Sequence, residues 1–376
     1  MRLPFRRTHD NQTIALTQTK TPSDRPIVRP QPALTGVSAV STITDVARLA
    51  GVSIKTVSRV MNNEPNVREE TRVKVRDAAN LLHYRPNLLA RSLAGARSFL
   101  LGLLYNNPVP TYIMYMHRGV IDRARESGYH LLAEPQDTHA GELERNIAGL
   151  LSTIRLDGVI LTPPLCDMAV VLQTIEAAGV PYVRVSPFLY PGRSAFVRMD
   201  ETLAAYEMTQ YLLGKGHRDI GFVMGHPEHG GSHLRYEGYV KAMREAGIEP
   251  RAEWIKQGYF TFESGIEAGK SFFARGAARP TAIFCSNDDM AFGMMGYAQQ
   301  AGVRVPDDVS IVGFDDTPGC ELIWPHLTTI RQPIADMAYA AADMLLSRNN
   351  DSDVAFVASS RLLPFELIER DSVKPL

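Results

Sequence analysis

Lys55 and Arg59 stand four residues apart in a segment, Ser53 to Met61, whose Val57 and Val60 fall on the other side of a helical turn. Folded as a helix, the segment would bury the valines, hold both cations on an outer face, and take Ser53 as its cap. Spacings that would carry catalysis break down on inspection. Ser264-Gly-Ile-Glu-Ala-Gly-Lys-Ser271 approaches a phosphate-binding loop but lacks its first glycine and reads as one continuous helix. Gly214-Lys-Gly216 is not followed by the third glycine of a dinucleotide turn. His226, His229 and His233 crowd one Gly-rich stretch without a carboxylate or cysteine array, and read as a solvated loop beside Ser232 and Arg235. Cys166, Cys285 and Cys320 are too few and too isolated for a disulfide framework. The expectation is a protein without cofactor, metal or catalytic activity.

The elements that must position these groups divide the chain. Its 376 residues, 45% hydrophobic and 22% charged, have an ordinary globular composition and suffice for two or three folding units. No apolar run reaches the ~18 residues of a membrane span. The opening MRLPFRRTHDNQ has no apolar segment behind it to act as an export signal, so a cytoplasmic protein is expected. Six Lys/Arg oppose two acids over residues 1–40, ten oppose five over 41–97, and twenty-four oppose thirty-four over 98–376, giving +4, +5 and −10. That asymmetry suggests a basic head for a polyanion and an acidic body that avoids it.

Residues 1–41, rich in Thr, Pro, Ser and Gln, read as a disordered tail. Over 42–84 the texture becomes helical. Thr42-x-x-Asp45 is a capping-box pattern, Gly51 stops the first helix, and a third helix over Glu69 to Leu82 closes a small helix-turn-helix core. In 85–97, Pro86 and Gly95 bracket two helical turns, too short to be stable alone. From 98 to 376, short apolar strands alternate with amphipathic helices and the pattern restarts near Asp200, which predicts an α/β body of two doubly wound parallel-sheet lobes with a ligand cleft between them.

Thr42-Ile-Thr-Asp-Val-Ala-Arg-Leu-Ala-Gly-Val-Ser-Ile-Lys-Thr-Val-Ser-Arg-Val-Met-Asn62, with Tyr84-Arg-Pro-Asn87 and Leu93-Ala-Gly95, resembles the DNA-binding head and hinge of the LacI/GalR regulators. The body is similar to theirs in Ser232-x-x-Arg235-x-x-Gly238, Ser286-Asn-Asp-x-x-Ala-x-Gly293, Val312-Gly-Phe-Asp-Asp316 and Leu327-Thr-Thr-Ile330. The resemblance spans residues 42–370 and implies a homodimeric repressor on a pseudopalindromic operator, with a core like the periplasmic sugar-binding proteins. It implies that Ile54 and Lys55 read bases, that Arg59 reads a base or holds a phosphate, and that Ser53, Thr56, Ser58 and Asn62 contact the DNA backbone. By the same resemblance, Asn87 lies in a hinge whose Leu93 wedges into the minor groove. After Phe365-Glu-Leu-Ile368 no leucine heptad follows, so a dimer is expected rather than a tetramer.

For the cleft, Arg235, Asn287 and Asp315 combine a forked cation, an amide and a carboxylate, the donors and acceptors that a hydroxyl-rich ligand needs. Tyr105, Phe260 and Trp324 are candidates for stacking, and Asp200 is a further polar candidate. A sugar or glycoside inducer is the leading expectation; a nucleobase or nucleoside corepressor and, further off, a free sugar-binding receptor are the alternatives. Tyr105-Asn-Asn-Pro-Val-Pro110 departs from the commonest family pattern in the loop that helps set ligand identity.

Overall fold

The structure, a computed structural model, describes residues 41–61, 66–84, 97–138, 141–274, 276, 278–348 and 353–376. The tail expected over 1–41, apart from Ser41, and the hinge expected over 85–97, apart from Arg97, lie outside the described residues, as do Asn62, Asn87 and Leu93. Backbone contacts divide the chain into two compact units at Pro86.

The first unit is three helices, α1 (Ile43–Ala50), α2 (Ile54–Met61) and α3 (Glu69–Leu81). Thr42 and Asp45 form the capping box: Asp45 N–H donates to Thr42 Oγ1 at 3.4 Å, and Thr42 N–H donates back to Asp45 Oδ2 at 2.9 Å. Gly51 ends α1 at φ 65°, a left-handed conformation that glycine adopts without a side-chain clash. Val46, Ala47, Val57, Val60, Val75, Ala78 and Ala79 close a core of small side chains.

The second unit opens with β1 (Leu100–Tyr105), β2 (His130–Pro135), β3 (Gly158–Leu161), β4 (Tyr182–Val185) and β5 (Ala195–Arg198). Helices α4 (Pro110–Glu126), α5 (Leu143–Thr153) and α6 (Ala169–Ala177) cover them. The period of two is visible in the packing: Leu101, Leu103 and Ile160 enter one core, while Leu104, Val159 and Leu161 enter another on the opposite face. A second sheet, ordered β7-β6-β8-β9, consists of β6 (Ile220–Met224), β7 (Ile255–Gln257), β8 (Ala282–Cys285) and β9 (Ser310–Val312), all parallel. It is covered by α7 (Glu201–Gly214), α8 (Gly230–Glu245), α9 (Phe262–Phe272) and α10 (Asp288–Gln300).

A single restart near Asp200 describes only the first of three crossings between the lobes. After β10 (Thr329–Arg331) the chain returns as α11 (Ile334–Leu346), which packs on α4, followed by α12 (Asp353–Val357). Then β11 (Ser360–Leu362) joins the first sheet, completing the order β11-β5-β4-β3-β1-β2. Finally β12 (Glu366–Ile368) pairs antiparallel with β10. The helix pairs approach at backbone distance. A Cβ on Gly119 would overlap the Ala335 carbonyl in α11, and one on Gly293 would overlap the Phe262 carbonyl in α9. Gly265, within the near-miss phosphate loop, likewise faces the Met290 backbone; its role is helix packing.

Candidate functional site

On the head, α2 presents two faces. Val57 and Val60 are buried, Lys55, Arg59 and Ile54 are exposed, Ile54 by 48%, and Thr56 and Ser58 lie half-buried between them. An isoleucine left this open on a helix with a valine core available contributes little to folding and is free for an apolar contact. Ser53 Oγ accepts from Thr56 N–H at 3.1 Å, capping the helix. The arrangement holds two cations and one apolar side chain on one surface of a short, rigid helix.

The cleft lies beyond the carboxyl ends of both sheets, where open parallel sheets place ligands. Most lining groups follow a strand or lie at the start of a helix, and Arg235 reaches in from the second turn of α8. Asn107 comes after β1, its Oδ1 accepting from Val109 N–H at 2.8 Å in a turn that starts α4. Ser186 follows β4 and Glu201 opens α7 after β5. Asn287 caps α10, its Oδ1 accepting from Met290 N–H at 3.1 Å and its Nδ2 donating to the Phe260 carbonyl at 3.0 Å. Asp315 follows β9 at φ 133°, a conformation costly for a non-glycine residue, and is held there by its backbone pairing to Ile330.

Arg235 is the electrostatic centre. Its Nε donates to Glu201 Oε2 at 2.8 Å, Nη1 donates to the Ser286 carbonyl, and the guanidinium lies 3.7 Å from the Phe314 ring centroid. Both members of this pair are buried, so each requires the other. Gln332 Nε2 donates to Asp315 Oδ1 at 2.5 Å. Burial pushes the Asp315 carboxyl well above the usual carboxylate range, and Arg235 pulls in the opposite direction. His229, at the start of α8, is pushed down to about 3 by burial, with smaller pushes from His226 and Arg235, so its imidazole is neutral. It packs edge-on to Phe260 at 5.4 Å. Phe260 in turn fits over Gly225, where any side chain would overlap its ring. Tyr112 adds a second ring, with its hydroxyl held protonated by burial. The free space in the cleft is about 50 Å³, well below the ~300 to 1,000 Å³ of ligand pockets.

Residues 42–87 match the bacterial regulatory proteins of the lacI family, and residues 209–373 match the periplasmic binding protein-like domain. Over 334 residues the chain is 33% identical to catabolite control protein A of Priestia megaterium, covering 89% of this chain and 99% of that one. The chain belongs to the LacI family. It is 35% identical over 343 residues to the transcriptional repressor PurR of Pectobacterium atrosepticum, covering 89% and 97% of the two chains. Among solved structures, the lac repressor dimer bound to operator and an anti-inducer superposes with a TM-score of 0.72 at 28% identity, over 89% of this chain and 99% of that one. The regulator CelR in complex with cellobiose superposes with a TM-score of 0.66 at 28% identity, over 88% and 99%. The fold and the relatives make this a LacI-family DNA-binding transcriptional repressor with a small-molecule effector. The relatives are transcriptional regulators rather than enzymes. Among the described residues, no helix is long and apolar enough to cross a membrane.

In this LacI-family chain the cleft brings together Arg235, Phe260, Asn287 and Asp315, and leaves three other expected residues outside. Asp200 is exposed and caps α7, its Oδ1 accepting from Leu203 N–H at 2.9 Å; the next residue, Glu201, reaches the cleft instead. Trp324 is 77% exposed beside His326 and does not line the cavity. Tyr105 packs edge-on to His117 at 5.7 Å and does not line the cavity. The histidine loop also differs from expectation: α8 begins at Gly230, which puts His233 on a helix, and His229 is buried in the cleft wall. Glu201, His229, Tyr112 and Gln332 line the cleft without standing in a motif that marks them, and the signal for Glu201 is its place at the helix start that follows β5.

Proposed function

We propose that the chain is a homodimeric repressor, with head, hinge and effector core over 42–84, 85–97 and 98–376, that leaves a pseudopalindromic operator when a sugar or glycoside occupies the cleft. The observation that carries this reading is the cleft's mixture of groups. Arg235, Asn287 and the Asp315–Gln332 pair supply donors and acceptors around an apolar wall of Phe260 and Tyr112, which suits hydroxyls on a ring with an apolar face. The cellobiose complex of CelR supports the ligand class, and the operator-bound lac repressor dimer supports the assembly.

In this reading Ile54 and Lys55 contact base edges, Arg59 a base or phosphate, and Ser53, Thr56, Ser58 and Asn62 the backbone, while Asn87 and Leu93 act through the hinge. Opening and closing of the cleft on the effector shifts the first lobes of the two subunits and changes the spacing of the hinges. A hundredfold loss of operator affinity requires about 2.7 kcal/mol of differential effector binding between the two states. A planar nucleobase between Tyr112 and Phe260 is the second reading, favoured by those two rings. Calorimetric titration with neutral sugars, glycosides and purine bases, paired with operator binding, decides between them. A purine that binds and strengthens operator affinity sinks the inducer reading.

A further inference from the structure

We infer that the cleft refuses anions: its effector is an uncharged polyol, sugar or glycoside without phosphate or carboxylate, and Glu201 is the residue that sets this selectivity. The inference rests on the effector reading of the cleft given above.

Three titratable side chains supply the polar wall of the cavity, and its single cation is matched by a carboxylate, while burial pushes the second carboxyl, Asp315, above the usual carboxylate range. Arg235 is the guanidinium; Glu201 and Asp315 are the carboxyls. The fourth titratable neighbour, His229, sits with its ring against Phe260, 6% exposed, where burial keeps it neutral. An anionic ligand in such a site needs a cation with charge to spare, and Arg235 has none. Its Nε is bound to Glu201 at 2.8 Å, its Nη1 to a backbone carbonyl, and its face to the Phe314 ring at 3.7 Å. The pair is inaccessible to screening by water, with side chains 7% and 5% exposed. A phosphate or carboxylate would therefore meet a neutralised guanidinium together with the lone pairs of two carboxyl groups. A hydroxyl is served by the same groups. It donates to a carboxyl oxygen and accepts from the guanidinium N–H groups not directed at Glu201 or Ser286, or from the second N–H of Asn287 Nδ2, whose first is bound to the Phe260 carbonyl. Glu201 thus converts what would be an anion site into a hydroxyl site.

The test is calorimetry on the full-length protein with matched pairs: D-ribose against D-ribose 5-phosphate, D-glucose against D-glucose 6-phosphate, cellobiose against cellobionate, and inorganic phosphate alone. For any pair that binds, the charged member is expected to be at least tenfold weaker. Wild type should show no Arg235-dependent phosphate binding, whereas Glu201→Gln should gain at least tenfold in phosphate affinity, a gain abolished in the Glu201→Gln/Arg235→Gln double variant. A charged member that binds wild type as tightly as its neutral partner overturns the selectivity and leaves the sugar reading intact. Binding of purine bases with no sugar binding overturns the sugar reading; the phosphate titrations still decide the role of Glu201. Phosphate binding to wild type that is lost in Arg235→Gln overturns the inference whether or not Glu201→Gln can be purified.

Discussion

Replacing Arg235 by Gln removes one half of a buried ion pair and leaves the other half in place. Glu201 is 5% exposed and receives its charge-assisted bond from Arg235 Nε at 2.8 Å, so the variant strands a carboxylate in the protein interior. Breaking a pair in that way costs about 3 to 5 kcal/mol, whereas replacing both members with neutral groups of similar volume is often close to neutral. Glu201→Gln alone leaves the guanidinium with its Ser286 carbonyl and Phe314 contacts, so we expect a smaller loss, roughly 1 to 3 kcal/mol. The double variant should recover much of the loss, giving a coupling of about 2 kcal/mol or more, beyond the ~0.5 kcal/mol within which independent sites add. Urea unfolding followed by tryptophan fluorescence is suited to the measurement. The chain has two tryptophans, of which Trp254 is 4% exposed in the lobe that holds Arg235. Additive costs, with Arg235→Gln losing under ~1 kcal/mol, would refute the claim that the two charges depend on each other.

On the head, Lys55→Ala should change which bases a selected operator prefers, while Ser58→Ala should weaken all sequences alike; gel-shift selection from random DNA separates the two. Operator affinity should fall steeply between 50 and 200 mM salt, as for any site that neutralises several phosphates at about those concentrations. Thr42→Ala removes the hydroxyl that accepts from Asp45 N–H and should destabilise α1 by about 1 kcal/mol, read as faster amide exchange over 43–50 in the full chain. His229, held at about 3 in the fold against ~6.5 unfolded, binds a proton more readily in the unfolded chain, so its contribution is fully present above pH 6.5 and is lost as pH falls toward 3. Relative to His229→Asn, wild type should therefore lose up to about 1.4 kcal/mol between pH 6.5 and 5.5, and parallel stability profiles of the two proteins would count against a buried neutral imidazole.

Long amphipathic helices and fully apolar parallel strands were the legible part of the sequence. Gly158–Leu161, Ile220–Met224 and Ala282–Cys285 are unbroken apolar runs in the sequence and parallel strands in the structure. The elements that escaped share a physical cause. In α11 the sequence Ile-Ala-Asp-Met-Ala-Tyr-Ala-Ala-Ala-Asp-Met-Leu-Leu is buried on most sides, so it carries little polar face to set a period. β10, β11 and β12 have three residues each, too few for alternation to register, and their partners lie far away in the chain. Those short segments are the crossings between lobes, so the sequence pattern shows two lobes but not the three strands that join them.

The cleft was legible through motif residues at strand ends and illegible where position depends on tertiary packing. Arg235, Asn287 and Asp315 stand in motifs that the family resemblance supplied. Glu201 and Asp200 are adjacent acids at one helix start, and only the direction of the first turn of α7 decides which caps the helix and which enters the cleft. Trp324 illustrates the opposite failure: aromatic type suggested stacking, but its loop leaves it open to solvent.

In the proposed function, occupancy of the Arg235–Asp315 cleft controls DNA binding by the head. The most direct measurement is fluorescence anisotropy of a labelled, selected palindromic operator titrated with full-length wild type and Asp315→Asn, each with and without a saturating neutral sugar or glycoside found by calorimetry. Without ligand the two proteins should bind DNA equally. With ligand, wild type should release the operator, and Asp315→Asn, lacking the carboxyl partner for a ligand hydroxyl, should stay bound. Equal release from both proteins, or tighter operator binding by wild type when the ligand is present, would contradict the account.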